Sequence, residues 1–573
     1  MDFMQEYEKW LHSPALSPEE HAELESIKDD PKEIESRFFG PLEFGTAGLR
    51  GTMYTGLHNM NIHVIRWATQ GFADVIAAEG EEGKRRGVAI CMDCRNHSME
   101  FARAAAEVCA ANGIHVRIFD SLRPTPELSF AVREYGCQAG INVTASHNPK
   151  EYNGYKVYWS DGAQLPPHHA DAIAKRLEEI DIFDGVKRMD FEEAVKSGLI
   201  EAMGDETDRK FMANVTAMIN DRETVAKVAD TFKLVYTPFH GCGYKLVPEA
   251  LTALGIKHLI PVPEQMVIDG NFPTVVSPNP ENPEGFYLAI DLAKKNDVDF
   301  ILGTDPDSDR VGIMVRNHEG EFQPVTGNQT GVLLLDYLIG AMKRSGKMPA
   351  NPVALKTIVT TEMARKVAES NGVKCFDTFT GFKFMAEKKN ALEESGEGKV
   401  IFSYEESYGY MLGDYVRDKD AVTASMLLTE MAAWYDAQGM TLFDALNALY
   451  EKYGIDVTEE FIARWDRIHA IRDVVKKALE NARAEKTIGA SLDAKVTLYC
   501  TGELYAFLKS VEDELATVFI VSQVEIVDGE GGTLSDDALG LSVQVDKAEG
   551  CKCMRCWTYS STVGKNPAYV DLC

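Results

Sequence analysis

The sequence predicts an α/β protein: three consecutive α/β domains with mixed sheets, then a helical tail that ends in a small cysteine knuckle. A strand–helix–strand–helix–strand pattern recurs three times between Gly87 and Phe402. The last strand of each unit runs into a polar loop, and the pattern changes near residue 455. Strand-length apolar runs alternating with helix-length segments define right-handed βαβ units. In such sheets ligands bind beyond the carboxyl ends of the strands.

At 573 residues the chain is long enough for roughly four domains. An apolar fraction of 45% with 26% charged residues is that of a soluble globular protein. The formal charge of -30 excludes non-specific attraction to nucleic acid or to an anionic membrane, so an anionic ligand would need locally concentrated cations. The acidic start Met1-Asp2-Phe3-Met4-Gln5-Glu6 is not that of a signal peptide, and no apolar run has the length of a membrane span. Of the eleven cysteines, those at 551, 553, 556 and 573 crowd together and the rest are scattered. That distribution suits a reducing cytoplasm rather than a disulfide framework.

Residues 1 to about 40 read as one or two amphipathic helices, with Ser17-Pro18-Glu19-Glu20 as a capped start. The turn Phe44-Gly45-Thr46-Ala47-Gly48-Leu49-Arg50-Gly51 follows. Its glycines let backbone approach a ligand, and Arg50 can grip an oxyanion. The first unit has strands over Gly87–Asp93, Ile114–Phe119 and Ala139–Val143, with helices over Ser98–Asn112 and Pro126–Tyr135. The second has strands over Lys233–Pro238, Ile256–Val262 and Val298–Gly303, with helices after Gly243 and over Gly285–Lys295. The third has strands over Val353–Val359, Val373–Phe376 and Lys399–Phe402, with helices over Thr361–Ser370 and after Gly381.

Three loops carry the chemistry, and their equivalent positions predict one cleft shared by three domains. Thr144-Ala145-Ser146-His147-Asn148-Pro149 presents a serine where a nucleophile or phosphate carrier would stand. By itself it equally reads as a turn held by its own side chains. Asp305-Pro306-Asp307-Ser308-Asp309-Arg310 puts carboxylates at alternate positions between apolar runs. Three hard oxygen ligands suit Mg²⁺, and their mutual repulsion argues for a cation over a merely solvated turn. An EF-hand fails, because its sixth position must be glycine and is Arg310, and no glutamate stands at its twelfth. Ser403-Tyr404-Glu405-Glu406-Ser407-Tyr408-Gly409 offers a carboxylate and a hydroxyl fit for vicinal sugar hydroxyls. Lys383 and Arg417-Asp418-Lys419-Asp420 add cations near it.

Together, Gly45–Gly51, Thr144–Pro149, Asp305–Arg310, Glu405–Ser407 and Arg417–Asp420 resemble the α-D-phosphohexomutase family, the phosphoglucomutases and phosphomannomutases, over about residues 1 to 455. The resemblance implies a four-domain, heart-shaped enzyme that interconverts hexose 1-phosphate and hexose 6-phosphate, glucose being the favoured sugar, and the cysteine pattern places it in the cytoplasm. It makes Ser146 the phosphoserine, with Asp305, Asp307 and Asp309 holding Mg²⁺ together with the serine's phosphate. Glu405 and Ser407 become sugar-binding residues. Arg50, Lys383, Arg417 and Lys419 become substrate-binding residues. His147, Lys156 and Arg310, with His240 beside them, become phosphate or proton-transfer groups. Glucose 1,6-bisphosphate is the implied intermediate and activator. The domains expected are 1–205 with the N-terminal helices and the phosphoserine, 206–325 with the metal, 326–455 with the sugar clamp, and 456–573 as the tail.

The chemistry is self-consistent. Phosphate moves between two ends of one sugar by way of a carrier: a phosphoserine donates its phosphoryl group, and the bisphosphate formed turns round and returns the other. In the rival Ser-His hydrolase mechanism, Ser146 and His147 are sequence neighbours expected to be poorly placed for proton relay, and no Gly-x-Ser-x-Gly elbow is present.

A fourth domain of this family carries an Arg-x-Ser-Gly-Thr phosphate loop, and no such pattern follows residue 455. Instead an amphipathic helix has apolar residues at 465, 468, 471, 475, 479 and 482. With Ile488–Ala494, Phe519–Ser522 and Cys553-Met554-Arg555-Cys556-Trp557, this stretch resembles the C-terminal end of an isoleucyl-tRNA synthetase, anticodon-binding helices plus zinc module. The synthetase signatures His-Ile-Gly-His and Lys-Met-Ser-Lys-Ser are absent, so the chain is no synthetase. Cys553, Cys556 and Cys573 are the candidate Zn²⁺ ligands, with Cys551 as a cramped fourth; reduced cysteines without metal are the alternative. Two functions follow: a phosphohexomutase impaired by the missing phosphate loop, or a non-catalytic phosphosugar-binding scaffold or chimera with an RNA-contacting tail. Neither nucleic acid nor membrane is expected as the principal partner.

Overall fold

The computed structural model describes residues 2–46, 48–454, 458–567 and 569–573. It divides into two compact units, Met1–Tyr453 and Gly454–Cys573. The expected boundary at 455/456 falls outside the described residues.

The first unit opens with three helices, Phe3–Leu11, Pro18–Ser26 and Pro31–Phe38, rather than one or two. Asp30 accepts from the N–H groups of Lys32 and Glu33, and Pro31 sits at the first helical position, which starts a separate helix. The Ser17 cap is present as expected: Ser17 Oγ accepts from Glu20 N while Glu20 Oε2 accepts from Ser17 N. Tyr7, Trp10, Leu24, Ile34 and Phe38 are buried in the core of the first sheet's layer.

The first sheet comprises β1 (Leu49–Thr52), β2 (Val88–Met92), β3 (Val116–Phe119), β4 (Ala139–Val143), β5 (Tyr152–Trp159) and β6 (Ile200–Met203), in the order β1-β5-β4-β2-β3-β6. β7 (Lys233–Thr237), β8 (His258–Pro261), β9 (Phe300–Thr304), β10 (Val311–Arg316) and β11 (Phe322–Val325) form the second, ordered β11-β10-β9-β7-β8. The third holds β12 (Pro352–Thr357), β13 (Lys374–Thr378), β14 (Lys399–Tyr404) and β15 (Tyr410–Met411), ordered β13-β12-β14-β15.

All three sheets are mixed in the same way. β4 is parallel to β2 and antiparallel to β5. β9 is parallel to β7 and antiparallel to β10. β14 is parallel to β12 and antiparallel to β15. The three polar loops are therefore one topological connection made three times, the turn from the last parallel strand into its antiparallel neighbour. Strands β2, β4 and β9 are buried along their whole length, as continuous apolar runs covered on both faces require.

The second unit holds, besides the expected helix and cysteine knuckle, a sheet that the sequence pattern does not predict. β16 (Ala494–Cys500), β17 (Gln523–Asp528), β18 (Leu534–Asp536) and β19 (Leu541–Lys547) are ordered β17-β16-β19-β18. The expected helix, Glu459–Ala484, buries Ile468, Ile471, Val475, Leu479 and Ala482 in a core shared with Val496, Leu498, Val543 and Val545. Trp465 is only partly buried against it. The strands alternate single apolar residues with Lys, Thr, Ser and Gln, a weaker signal than the apolar runs of the first unit. A two-stranded piece, β20 (Cys551–Lys552) with β21 (Tyr559–Ser560), carries the knuckle.

Candidate active site

The cleft is built where the three equivalent turns meet. Ser146 takes φ 53, a left-handed conformation uncommon for a side-chain-bearing residue. Its N–H donates to Thr144 Oγ1 at 2.8 Å, and its Oγ donates to Asp305 Oδ2 at 2.9 Å. The serine loop thus touches the carboxylate loop of the second domain directly. That loop in turn abuts the third: Arg310 bridges Gly409, and Val311 N donates to Tyr408 O.

Asp305, Asp307 and Asp309 are buried, and one oxygen of each lies within 4.8 Å of the others. Asp305 Oδ1 accepts from Asp309 N and Arg310 N. Asp307 Oδ2 accepts from Lys156 Nζ at 2.8 Å and Thr125 Oγ1 at 2.8 Å. Asp309 Oδ2 lies 3.3 Å from Lys156 Nζ and 3.2 Å from Lys419 Nζ. Asp307 Oδ1 and Asp309 Oδ1, both buried, have no hydrogen-bond partner among the described residues. Burial, then repulsion from Asp307 and Asp309, pushes the Asp305 carboxyl well above the usual carboxylate range. Two unsatisfied buried carboxylate oxygens beside a third carboxylate and a serine hydroxyl fit a hard divalent cation, which would relieve that repulsion.

The cations around this cluster are well anchored. Burial alone would discharge Lys156, but Asp307 and Asp309 outweigh it and hold its pKa above the ordinary lysine value. Lys419 behaves alike against Asp309 and Asp418. Arg310 reaches away to Glu281 at 2.8 Å. Arg50, on β1, donates to Asn148 Oδ1 at 3.0 Å and so lies on the serine loop. The glycine preceding that strand is required: at Gly48, with φ 79, a Cβ would fall 1.8 Å from Tyr155 O. Ala47 of this turn lies outside the described residues.

His147 departs from expectation. Its Nδ1 lies 3.1 Å from Ser146 Oγ, because the left-handed turn at Ser146 brings the two adjacent side chains together. Burial, then the positive charges of Arg310 and Arg50, lowers its pKa to about 3, so the ring is neutral at pH 7 and a weak base.

In the third domain, Glu405 accepts from Gly381 N at 2.6 Å, and Ser407 stands half-buried in the same turn. Glu406 is turned away onto the hydroxyls of Thr357 and Thr360. Lys383 Nζ donates to Thr46 Oγ1, joining the third domain to the Gly45–Gly51 turn. Two expected site residues are committed elsewhere. The Arg417 guanidinium is taken by Asn390, Glu393 and the carbonyls of Asp414 and Val416. His240 has both ring nitrogens engaged, by Val267 O and Thr274 Oγ1.

Sequence reasoning missed Thr125, Asn142 and Asp418. Asn142 Nδ2 donates to Thr125 Oγ1, which donates to Asp307. Asp418 accepts from Tyr158, Gln164 and Lys419, fixing that lysine against Asp309. The Arg-Asp-Lys-Asp run was the only local signal for Asp418, and Thr125 had none beyond a Pro-Thr-Pro helix start.

The tail's cysteines gather independently. Single sulfur atoms of Cys553, Cys556 and Cys573 lie within 4.8 Å of one another, and Cys551 is not among them. The backbone N–H groups of Cys556, Cys573 and Arg555 bring the Cys553 thiol down to about 6.

Three mixed α/β sheets converging on a buried serine and a carboxylate triad define a phosphotransfer enzyme. Residues 41–182, 209–320 and 326–453 match phosphoglucomutase/phosphomannomutase alpha/beta/alpha domains I, II and III. A phosphopentomutase of Homo sapiens is 33% identical over 500 residues, covering 84% of this chain and 79% of its own. A phosphoglucomutase of Staphylococcus aureus (strain N315) is 35% identical over 429 residues, covering 74% of this chain and 75% of its own. Among solved structures, a phosphoglucomutase/phosphomannomutase family protein from Burkholderia thailandensis shares the fold with a TM-score of 0.55 at 21% identity, over 71% of this chain and 79% of that one. The parafusin phosphoglucomutase of Paramecium, in its open form, does so at 0.55 and 20%, over 72% and 75%. The chain belongs to the phosphoglucomutase/phosphomannomutase family. No helix among the described residues is long and apolar enough to cross a membrane.

Proposed function

We propose that this chain interconverts hexose 1-phosphate and hexose 6-phosphate, glucose first among the hexoses, through a phosphoserine at Ser146 and a hexose 1,6-bisphosphate. The observation that carries the proposal is the 2.9 Å hydrogen bond from Ser146 Oγ to Asp305 within the carboxylate loop. The phosphoryl group leaves Ser146 Oγ for a free sugar hydroxyl: one P–O bond breaks, one forms, and the hydroxyl proton is exchanged toward the serine oxygen. In this reading the neutral His147 ring, 3.1 Å from Ser146 Oγ and too weak a base to hold the proton itself, orients the serine oxygen that receives it. Lys156 and Lys419, kept cationic by the aspartates, offset charge on the phosphoryl oxygens. Arg50 and Lys383, with Arg310 once it leaves Glu281, would take the second phosphate, and Glu405 with Ser407 the sugar hydroxyls. Asp305, Asp307 and Asp309 with Ser146 would hold Mg²⁺, which supplies further neutralisation of the transferring group when bound.

In this reading the domains run 1–205, 206–325, 326–455 and 456–573, and the chain works in the cytoplasm. No Arg-x-Ser-Gly-Thr loop stands within residues 456–573, so in this reading these 573 residues by themselves grip the far phosphate of the bisphosphate weakly and turn over slowly. The tail keeps its own identity as a synthetase-like module whose three clustered thiols suit Zn²⁺. Relatives named phosphopentomutase support a second substrate class, pentose 1- and 5-phosphates. Intact mass after incubation with glucose 1,6-bisphosphate, together with turnover on glucose, mannose and ribose 1-phosphates, tests the reading. A chain that never gains a phosphoryl group is a binding scaffold instead.

A further inference from the structure

Arg95 lies in the segment that follows β2, and its side chain is fully buried. Its guanidinium holds the backbone of the serine loop at four carbonyls. Nη2 donates to Ser146 O at 2.7 Å and to Asn148 O, and Nη1 donates to Pro149 O at 2.8 Å and Tyr152 O at 3.0 Å. Asp93 aims the side chain: its Oδ2 stands 3.3 Å from Arg95 Nε, while its Oδ1 accepts from Arg95 N and Ser98 Oγ.

The other face of the same guanidinium meets the second domain. It stands over the Phe272 ring, 5.1 Å from the centroid. Beside it, Asn96 Nδ2 donates to Asn271 Oδ1 at 3.1 Å. The approach is close enough to require glycine at 270, where a Cβ would fall 2.6 Å from Asn96 N and 2.8 Å from Cys94 O.

We propose that Arg95 is a positioning residue that couples the seating of the 269–272 segment of the second domain to the conformation of the Ser146 loop. The inference rests on the reading of Ser146 as the phosphoryl carrier. Ser146 adopts a left-handed backbone conformation that a non-glycine residue keeps only when its surroundings over-determine it. Four carbonyls tied to one planar cation supply that constraint. A guanidinium presents five donors in a rigid fork, whereas an ammonium presents three on a flexible stem, so lysine cannot reproduce the clamp. The aromatic ring beneath the fork makes the clamp sensitive to where the second domain sits. When the 269–272 segment is seated, Ser146 is held against Asp305 of the same domain. When it lifts, Arg95 loses a face and the loop can relax.

Hydrogen exchange followed by mass spectrometry on the full chain tests this, with Arg95→Lys and Gly270→Ala compared to wild type. Peptides covering 144–152 should exchange about tenfold faster in Arg95→Lys, with β2 and β4 unchanged. Gly270→Ala touches no atom of the serine loop, yet it should accelerate the same peptides by a smaller factor. In the activity arm, kcat should fall about a hundredfold in Arg95→Lys with KM within about threefold. If Arg95→Lys proves globally unstable, Phe272→Leu, which removes the ring and spares the hydrogen bonds, takes its place with the Gly270→Ala expectation. Exchange over 144–152 unchanged in Arg95→Lys, or faster exchange in Gly270→Ala confined to 269–272, overturns the proposal. A wild-type chain without turnover refutes the mutase reading alone, since the exchange arm still decides the coupling.

Discussion

Ser146 Oγ donates to Asp305 Oδ2 at 2.9 Å although 159 positions separate the two in sequence. The bond joins the turn of the first sheet to the equivalent turn of the second. A nucleophile and a carboxylate cluster thereby share one buried point, which also receives Lys156 and Lys419.

Ser146→Ala should lose phosphoryl acceptance altogether. Thr125 also places a hydroxyl on the carboxylates, but it is fully buried and already committed to Asp307 and Asn142. Turnover should drop by about 10³-fold or more, equivalent to about 4 kcal/mol. Intact mass before and after glucose 1,6-bisphosphate is the check, and a variant still carrying a phosphoryl group would place the carrier elsewhere.

Asp307→Asn should weaken Mg²⁺ activation by at least about tenfold and also lower the thermal midpoint. Against the effect of burial, Lys156 and Thr125 hold the Asp307 carboxyl below its ordinary range. The substitution therefore breaks a favourable buried pair, while the relief of repulsion falls to Asp305. A metal titration of activity reads the effect, and an unchanged Mg²⁺ dependence would contradict it.

Glu430→Ala should destabilise the first unit without touching the chemistry. Glu430 accepts from the half-buried N–H groups of Asn220 and Asp221 and from the buried Tyr337 Oη at 2.7 Å. Each buried group left unsatisfied costs roughly 1–3 kcal/mol, so about 3 kcal/mol or more is expected by urea denaturation. Ser146 phosphorylation at low temperature should persist.

A chain ending at residue 454 should accept a phosphoryl group on Ser146 as readily as the full chain, because the tail has its own hydrophobic core. Both should be slow mutases, since no Arg-x-Ser-Gly-Thr loop within residues 456–573 offers the far phosphate charge-assisted hydrogen bonds, worth roughly 1.5–3 kcal/mol each. Fusing a domain with an Arg-x-Ser-Gly-Thr loop in place of the tail should raise kcat/KM. Fast turnover by the chain as it stands would mean that another group supplies the grip.

The tail should bind one Zn²⁺ per chain, and Cys556→Ser or Cys573→Ser should abolish it while Cys551→Ser does not. Cys553, lowered to about 6, presents a thiolate at neutral pH, but Cys573 is pushed above the ordinary thiol range by its neighbours Cys556 and Cys553. Affinity should therefore fall throughout the descent from alkaline pH toward 6 and more steeply below it. Metal content by mass spectrometry under native conditions decides the point.

What the sequence determined by itself was local. Apolar runs of strand length, three polar turns at matching positions, and the Asp-x-Asp-x-Asp spacing follow from periodicity and from the chemistry of adjacent residues. These patterns are sufficient for three mixed α/β sheets and for a cleft at their turns. The tertiary structure decided which distant groups the cleft receives. Lys156 and Lys419 entered the carboxylate cluster, whereas Arg417 and His240, equally plausible by composition, were spent on carbonyls and neighbouring side chains. His147 met Ser146 because a single positive φ turned the chain between them. Arg95 became a clamp because β2 ends beside the serine loop and under Phe272 of another domain. In the tail, thin strand signals hid a sheet whose apolar residues become a core only when four strands and a helix face one another. Spacing along a chain fixes what neighbours can do together. Which distant side chains meet depends on backbone direction and packing summed over the whole fold.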